Sequence, residues 1–453
     1  MAFYRHAMKS LEDWKTRKNR KPLVLRGARQ VGKTTLVQEF GKSFDVLISL
    51  NLEKSRDKAF FTQYGEVPTI MEALYLAHNI IPKKGQEILL FIDEIQEEPK
   101  AIQLLRYFYE EIPELHVIAA GSLLEFAIQE VESFPVGRIE FLYLFPLNFS
   151  EYLQAIGHYT GFMQLETAPV SPIAHDTLLQ LFHRYAILGG MPEIIQRTID
   201  GETLSQLPRT YESIWGTYKE DVEKYASNAT ERKVIRHIMD TAPMYLDQRI
   251  KFQNFGNSNY RSREVGEALR NLDAAKIIQL IYPTTELTPP IKPNLRKSPR
   301  LQFLDTGLVN HALNIQGQLL GLSDLNDATR GGIIPHLITQ ELISLQTIQY
   351  LKPHFWVREK NQASSEVDLV YVYKDLVIPI EIKSGPTGSL KSLHQFMDRA
   401  PHPFAIRMYA GKFKMDEAVT DSGTKFLLMN LPYYLGTMLP SYIKMFTENA
   451  SLS

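Results

Sequence analysis

The chain has 453 residues, a net charge of −1, 44% hydrophobic and 22% charged residues, and no cysteine. That length points to about two to four domains, and the composition is that of an ordered globular protein rather than a disordered one. Disulfides, thiolate nucleophiles and cysteine-ligated zinc are excluded, and the near-zero charge leaves any nucleic-acid contact to a local patch.

Met1 to His6 has no hydrophobic signal core and no apolar stretch approaches membrane-spanning length, so the expected setting is the cytoplasm, with no membrane partner. The first informative elements flank a glycine loop. The apolar run Leu23 to Leu25 predicts a strand and Thr35 to Phe40 a helix. Between them, Gly27, Ala28, Arg29, Gln30, Val31, Gly32, Lys33 and Thr34 match G-x-x-x-x-G-K-[ST]. Glycines let successive backbone N–H groups approach a phosphate chain, and the following helix N-terminus, through Thr35, adds partial positive charge. Lys33 reaches the outer phosphates and the Thr34 hydroxyl is a ligand for Mg²⁺. The segment therefore predicts binding of a nucleoside triphosphate, ATP.

Ile88 to Ile92 is a continuous apolar run, which predicts a strand covered on both faces, and it ends in Asp93 and Glu94. Asp93 is placed to hold Mg²⁺ and Glu94 to polarise the attacking water. Val46 to Leu50 and His116 to Ala120 read as further strands. Ser122, after the latter, is a candidate sensor of the γ-phosphate and equally a cap for a helix from Leu123 to Ile128. Arg138, before the apolar Ile139 to Phe145, either stabilises transition-state charge or makes a structural salt bridge.

From about residue 155 helical periodicity dominates, over Thr177 to Tyr185 and Leu204 to Tyr225. Gly189 to Glu193 reads as a helix end and a new start with Pro192 in the first turn. Residues 231 to 282 read as short helices closing on the β-branched run Ala274 to Ile281, a pattern compatible with a winged helix. The proline-rich, basic segment Pro289 to Arg300 is a connector able to touch phosphates. Asp305 reads as a helix cap.

Glu366 to Tyr373 and Leu376 to Lys383 predict a hairpin turning at Lys374 and Asp375. With a two-residue period, Glu381 and Lys383 share a face, and the hairpin brings Asp368 alongside. Two carboxylates about 4 Å apart repel by about 4 kcal/mol at an effective dielectric of 20, so such a pair is protonated, solvated or holding a cation. With Mg²⁺ it can activate water on a phosphate, Lys383 orienting the nucleophile or stabilising charge.

Taken together, these motifs resemble the AAA-type P-loop ATPases of archaea and bacteria that carry a C-terminal domain of unknown function. The resemblance rests on Gly27 to Thr35, Phe91 to Gln96, Ala120 to Ser122, Gly137 and Arg138, Phe145 to Tyr152, Leu188 to Glu193, Leu301 to Leu308, Glu366 to Asp368 and Glu381 to Lys383. It implies an α/β multidomain chain: an AAA-type parallel-sheet domain over 1–155, a helical, winged-helix-like region over 156–325 and a restriction-endonuclease-like α/β domain over 326–453. The Asp368, Glu381 and Lys383 spacing is similar to the PD-(D/E)XK nuclease core. That resemblance implies a further metal ligand on a preceding helix, for which Glu341 is the match, with Glu366 as an added ligand. The acid-proline signature is missing at Val367 and Asp368. The expectation is an Mg²⁺-dependent ATPase whose C-terminal domain binds or cleaves DNA, alone, as a homo-oligomer or with a protein partner. The alternative is a slow nucleotide switch with a non-cleaving protein- or nucleic-acid-binding module.

Overall fold

The structure, a computed structural model, describes residues 2–449 except 123, 125–134, 136, 225, 227, 321–324, 326–331, 359–364 and 384–389. The chain divides into two units. One comprises Met1–Pro146, Ala274–Ile277 and Gln346–Tyr350, the other Leu147–Asp273, Ile278–Leu345 and Leu351–Ser453.

The first unit is built on five strands: β1 (Leu23–Arg26), β2 (Val46–Asn51), β3 (Ile88–Asp93), β4 (His116–Gly121) and β5 (Glu140–Tyr143). Their order is β2-β3-β4-β1-β5 and every pairing is parallel. This is the AAA-type order that the resemblance implies, with β4 lying between the strands that carry the glycine loop and the acidic pair. Parallel strands need crossovers, and helices such as Lys33–Gly41, Val67–Ala77 and Pro99–Glu111 supply them. β3 and β4 are buried along their whole lengths, as a continuous apolar run requires in a sheet covered on both faces. Leu50, Leu90 and Ile92 pack with Phe61, Ile70, Leu74, Leu105 and Phe108 in one core. Each such side chain contributes roughly 2 kcal/mol through burial. Register aligns the strand ends: Arg26 lies opposite Gly121, Ile92 opposite Ala119.

In the second unit, β6 (Ile278–Ile281) and β7 (Arg300–Phe303) form an antiparallel pair after helices Ala229–Thr241 and Ser262–Ala274. The run from Ala274 becomes strand only at Ile278, because the helix extends to Ala274 and Lys276 adopts a left-handed φ of 63°. A six-stranded mixed sheet follows: β8 (His354–Val357), β9 (Glu366–Tyr373), β10 (Leu376–Ile382), β11 (Phe404–Tyr409), β12 (Lys414–Val419) and β13 (Lys425–Pro432), ordered β12-β13-β11-β10-β9-β8. The β9–β10 hairpin turns at Lys374 and Asp375, as the sequence predicts, with Lys374 at φ 53°.

Two motifs that the sequence reads as structural, the Gly189 to Glu193 helix junction and the Asp305 cap, meet in this unit in those roles. Helix His175–Leu188 ends at Gly189 in a left-handed φ of 79°, and Pro192 begins the next helix. Asp305 caps helix Thr306–Ala312, accepting from Leu308 N at 3.1 Å, and also accepts from Gly190 N at 2.6 Å. A Cβ at Gly189 would overlap the Asp305 carboxylate, and one at Gly307 would overlap the Leu188 carbonyl. The last carbonyls of helix His175–Leu188 have no intrahelical partner. They are met instead by Asn310 (to Ala186 O, 2.9 Å), Gln316 (to Ile187 O, 3.3 Å) and Tyr211 (to Leu188 O, 2.7 Å).

His336, fully buried on helix Ile333–Ser344, completes this polar core. Its Nε2 accepts from Phe303 N at 2.9 Å, and its Nδ1 lies 3.0 Å from Thr306 Oγ1, which itself reaches Gln340 Oε1 at 2.9 Å. That pattern needs a neutral ring, and burial lowers its pKa to about 3. A depressed folded value means the contribution is complete above the unfolded value of about 6.5 and is lost as pH falls towards the folded one. His336→Gln keeps an acceptor and a donor without titrating. The wild type is therefore expected to lose about 1 kcal/mol more stability than His336→Gln between pH of about 6.5 and about 5.5. Parallel denaturation profiles for the two proteins would refute this role.

Candidate functional site

The glycine loop and the acidic strand end converge in the first unit. Gln30 (φ 63°) and Gly32 (φ 95°) are left-handed, and such reversals let successive N–H groups converge on an anion. Gly27 admits no side chain, because a Cβ there would overlap Leu144 O. Ala28 and Val31 are buried beneath the loop, Thr35 is exposed, and Arg29 pairs with Glu53 at 2.8 Å. Lys33 donates from Nζ to Gly27 O and Ala28 O, both at 2.9 Å, which holds its ammonium against the loop. Arg5, on no recognisable motif, braces the loop from the N-terminal segment by donating to Val31 O at 2.9 Å and to Phe145 O.

Thr34 Oγ1 donates to Asp93 Oδ2 at 2.6 Å. Burial pushes the Asp93 carboxyl up from its ordinary value, against the pull of the Thr34 hydrogen bond. A hydroxyl and a buried carboxylate meeting beside a phosphate loop suit Mg²⁺, which takes one or two protein oxygens together with phosphate oxygens and water. These residues therefore fit the ion. Glu94 follows in a left-handed conformation, φ 51°, its N–H directed to Asp93 Oδ1 at 3.1 Å.

Gln96 closes the Phe91 to Gln96 motif, and residue type and spacing alone assign it no role. Its Nε2 donates to Glu94 Oε2 at 2.6 Å, and its Oε1 lies 2.5 Å from where a Cβ of Gly121 would stand. The amide is thus confined between the Glu94 carboxylate and the end of β4. Ser122 is buried directly after β4, while most of the helix it was read to cap lies outside the described residues. Arg138 is exposed and pairs with Glu110 at 2.9 Å, a carboxylate it shares with Arg106, so in its own chain it has the salt-bridge role.

In the second unit the hairpin brings Asp368, Glu381 and Lys383 together. Asp368 Oδ2 accepts from Ile382 N at 2.8 Å and Lys383 Nζ lies 2.8 Å from Glu381 Oε1. Burial, reinforced by Asp368 and opposed by Lys383, raises the Glu381 carboxyl to about 8. Glu341 does not join them. It is buried on its helix, accepts from Phe149 N at 3.0 Å and Tyr185 O–H at 2.7 Å, and burial raises it to about 8. The helix Ile333–Ser344 is buried on every face from Ile333 to Ile343 and turns Glu341 into its own polar pocket. Glu366 pairs with Arg300, donated from Nε at 2.8 Å, and with Arg249 at 3.6 Å. Arg300 ends the segment read as a connector. Nothing in local spacing marks its partners, which lie across the fold. Among the described residues, no group of three His, Asp or Glu side chains is arranged to hold a metal ion.

Comparison with known proteins agrees with the first unit's geometry. Residues 19–153 match the AAA domain family model. Residues 179–319 and 330–427 match two domains of unknown function, DUF8612 and DUF4143. No curated protein sequence matches the chain. Among solved structures, the Saccharomyces cerevisiae Hsp104–ADP complex is similar at 14% identity and a TM-score of 0.28, over 60% of this chain and 39% of that one. Drosophila ORC bound to DNA is similar at 12% identity and a TM-score of 0.25, over 69% and 94%. A STAND signal-transduction ATPase with a tetratricopeptide repeat sensor from Pyrococcus horikoshii is similar at 11% identity and a TM-score of 0.27, over 73% and 44%. The chain thus spans less than half the length of the Hsp104 and STAND chains, and TM-scores this low define no shared overall fold. Family match, sheet order and loop together identify residues 19–153 as an AAA-type, P-loop nucleotide-binding domain.

Proposed function

We propose that the chain is an Mg²⁺-dependent ATPase whose nucleotide state controls a DNA-binding second unit. The observation that carries the first half is the 2.6 Å contact of Thr34 with Asp93, which joins the phosphate loop to the acidic strand end. When bound there, Mg²⁺ supplies charge neutralisation at the phosphates. Lys33 and the loop N–H groups hold the phosphate chain, and Glu94 accepts the proton of the attacking water. Gln96 is a positioning residue, since its hydrogen bond fixes one Glu94 oxygen. Ser122 senses the γ-phosphate from between β1 and β3. Arg138 contributes to a transition state only across a contact with a second copy.

Phosphate release by the purified chain tests this. Glu94→Gln is expected to lower turnover about 100-fold or more while leaving ATP bound, as loss of a general base does. Lys33→Ala is expected to lose ATP binding. Turnover unchanged in Glu94→Gln would sink the hydrolytic assignment. Gln96→Leu removes one charge-assisted hydrogen bond and is expected to lower kcat about tenfold with KM unchanged. A rise in KM alone would mean that Gln96 serves binding instead. Adding duplex or single-stranded DNA should raise turnover, and the absence of any response to either would move the second unit's partner to the protein class.

A further inference from the structure

The resemblance to PD-(D/E)XK nucleases implies a divalent cation held by Asp368 and Glu381. The side chains around them do not fit that ion. Asp368 has one oxygen committed to Ile382 N–H at 2.8 Å, and the other faces Arg300 Nη2 at 3.6 Å. The same guanidinium donates from Nε and Nη2 to Glu366 and from Nη1 to Asp247 at 3.1 Å, with its face 4.6 Å from the Phe355 ring centre. The second Glu366 oxygen is taken by Arg249 at 3.6 Å, and Glu381 Oε1 by Lys383 at 2.8 Å, which leaves Glu381 Oε2 as the one oxygen of this group that is buried without a hydrogen-bond partner among the described residues. Glu341, the remaining ligand of the expected set, is spent on Phe149 and Tyr185.

We infer that Arg300 is the resident cation of this acidic cluster and that the cluster takes no divalent metal. Four carboxylates, Asp247, Glu366, Asp368 and Glu381, face three basic side chains, Arg249, Arg300 and Lys383. A guanidinium is a good substitute for an ion because its planar fork satisfies several carboxylates at once and never loses its charge. It is a poor catalyst in that position, since it offers no open coordination site for water. Mg²⁺ requires oxygens at about 2.1 Å in an octahedral array, which here means evicting a part-buried arginine and leaving its acids uncompensated. The arginine also has a structural task. It sits at the first position of β7 and reaches Glu366 at the first position of β9, so it ties the two-stranded ribbon to the mixed sheet.

The test is Mn²⁺ titration of the full chain without nucleotide, followed by electron paramagnetic resonance. Asp368→Asn and Glu381→Gln are expected to give the same Mn²⁺ isotherm as wild type. Arg300→Met exposes the acids and is expected to bind additional Mn²⁺, which the double variant Arg300→Met, Asp368→Asn loses again. Loss of an Mn²⁺ site in Asp368→Asn alone would overturn the inference, as would a folded Arg300→Met that binds no more Mn²⁺ than wild type. Should Arg300→Met fail to fold, the two single carboxylate variants decide the question by themselves. Mn²⁺-dependent nicking of supercoiled DNA by wild type that Glu381→Gln abolishes would also overturn it. This readout is independent of the ATPase proposal, because it is made without nucleotide and turns on differences at Asp368, Glu381 and Arg300.

Discussion

A carboxylate at the buried end of a parallel strand must find a donor or a cation, and Asp93 finds the hydroxyl of Thr34 at 2.6 Å. That contact joins residues from different strand-to-helix turns and requires β1 and β3 to end at the same level. The parallel register through β4 meets the requirement, since Arg26 lies opposite Gly121 and Ile92 opposite Ala119. The rest of the site follows from it. Lys33 is set by the helix that begins beside Thr34, Glu94 by the turn after Asp93, and Gln96 by the room that Gly121 leaves.

The second unit is organised by the same rule applied to more residues. Asp305, Glu341 and His336 are fully buried, and each is supplied with backbone or hydroxyl partners rather than with opposite charges. Left without partners, each would cost more than a typical buried methyl group contributes. The arrangement is correspondingly exact in its steric demands. Gly189 and Gly307 are held to glycine by the carboxylate and the carbonyl that approach them.

The two acidic clusters differ in what balances them. Asp93 accepts from two neutral donors, the Thr34 hydroxyl and the Glu94 N–H, while the Lys33 ammonium is directed to loop carbonyls, so the balancing charge is left to an ion that arrives with phosphate. Asp368 and Glu366 are balanced internally by a guanidinium that belongs to the fold. The types of acid are alike, and the difference lies in whether the compensating charge is supplied by a ligand or by the chain.

What the sequence determined by itself was the chemistry of short spacings. The glycine loop, the buried strand ending in Asp93 and Glu94, the Asp305 cap and the hairpin that brings Asp368 alongside Glu381 and Lys383 all follow from periodicity and turn preference over a few residues. Gln96 lay within the same reach and needed only the observation that its amide could return to Glu94. The tertiary structure decided the partners separated by many residues. Glu341 meets Phe149 across 192 positions, Arg300 meets Glu366 across 66, and Arg138 meets Glu110 across 28. Such pairings depend on strand register and helix rotation, where a shift of one residue turns a side chain to another face. Residue type and local spacing therefore revealed which groups could do chemistry, and packing selected which of them face an open site and which are consumed in holding the fold together.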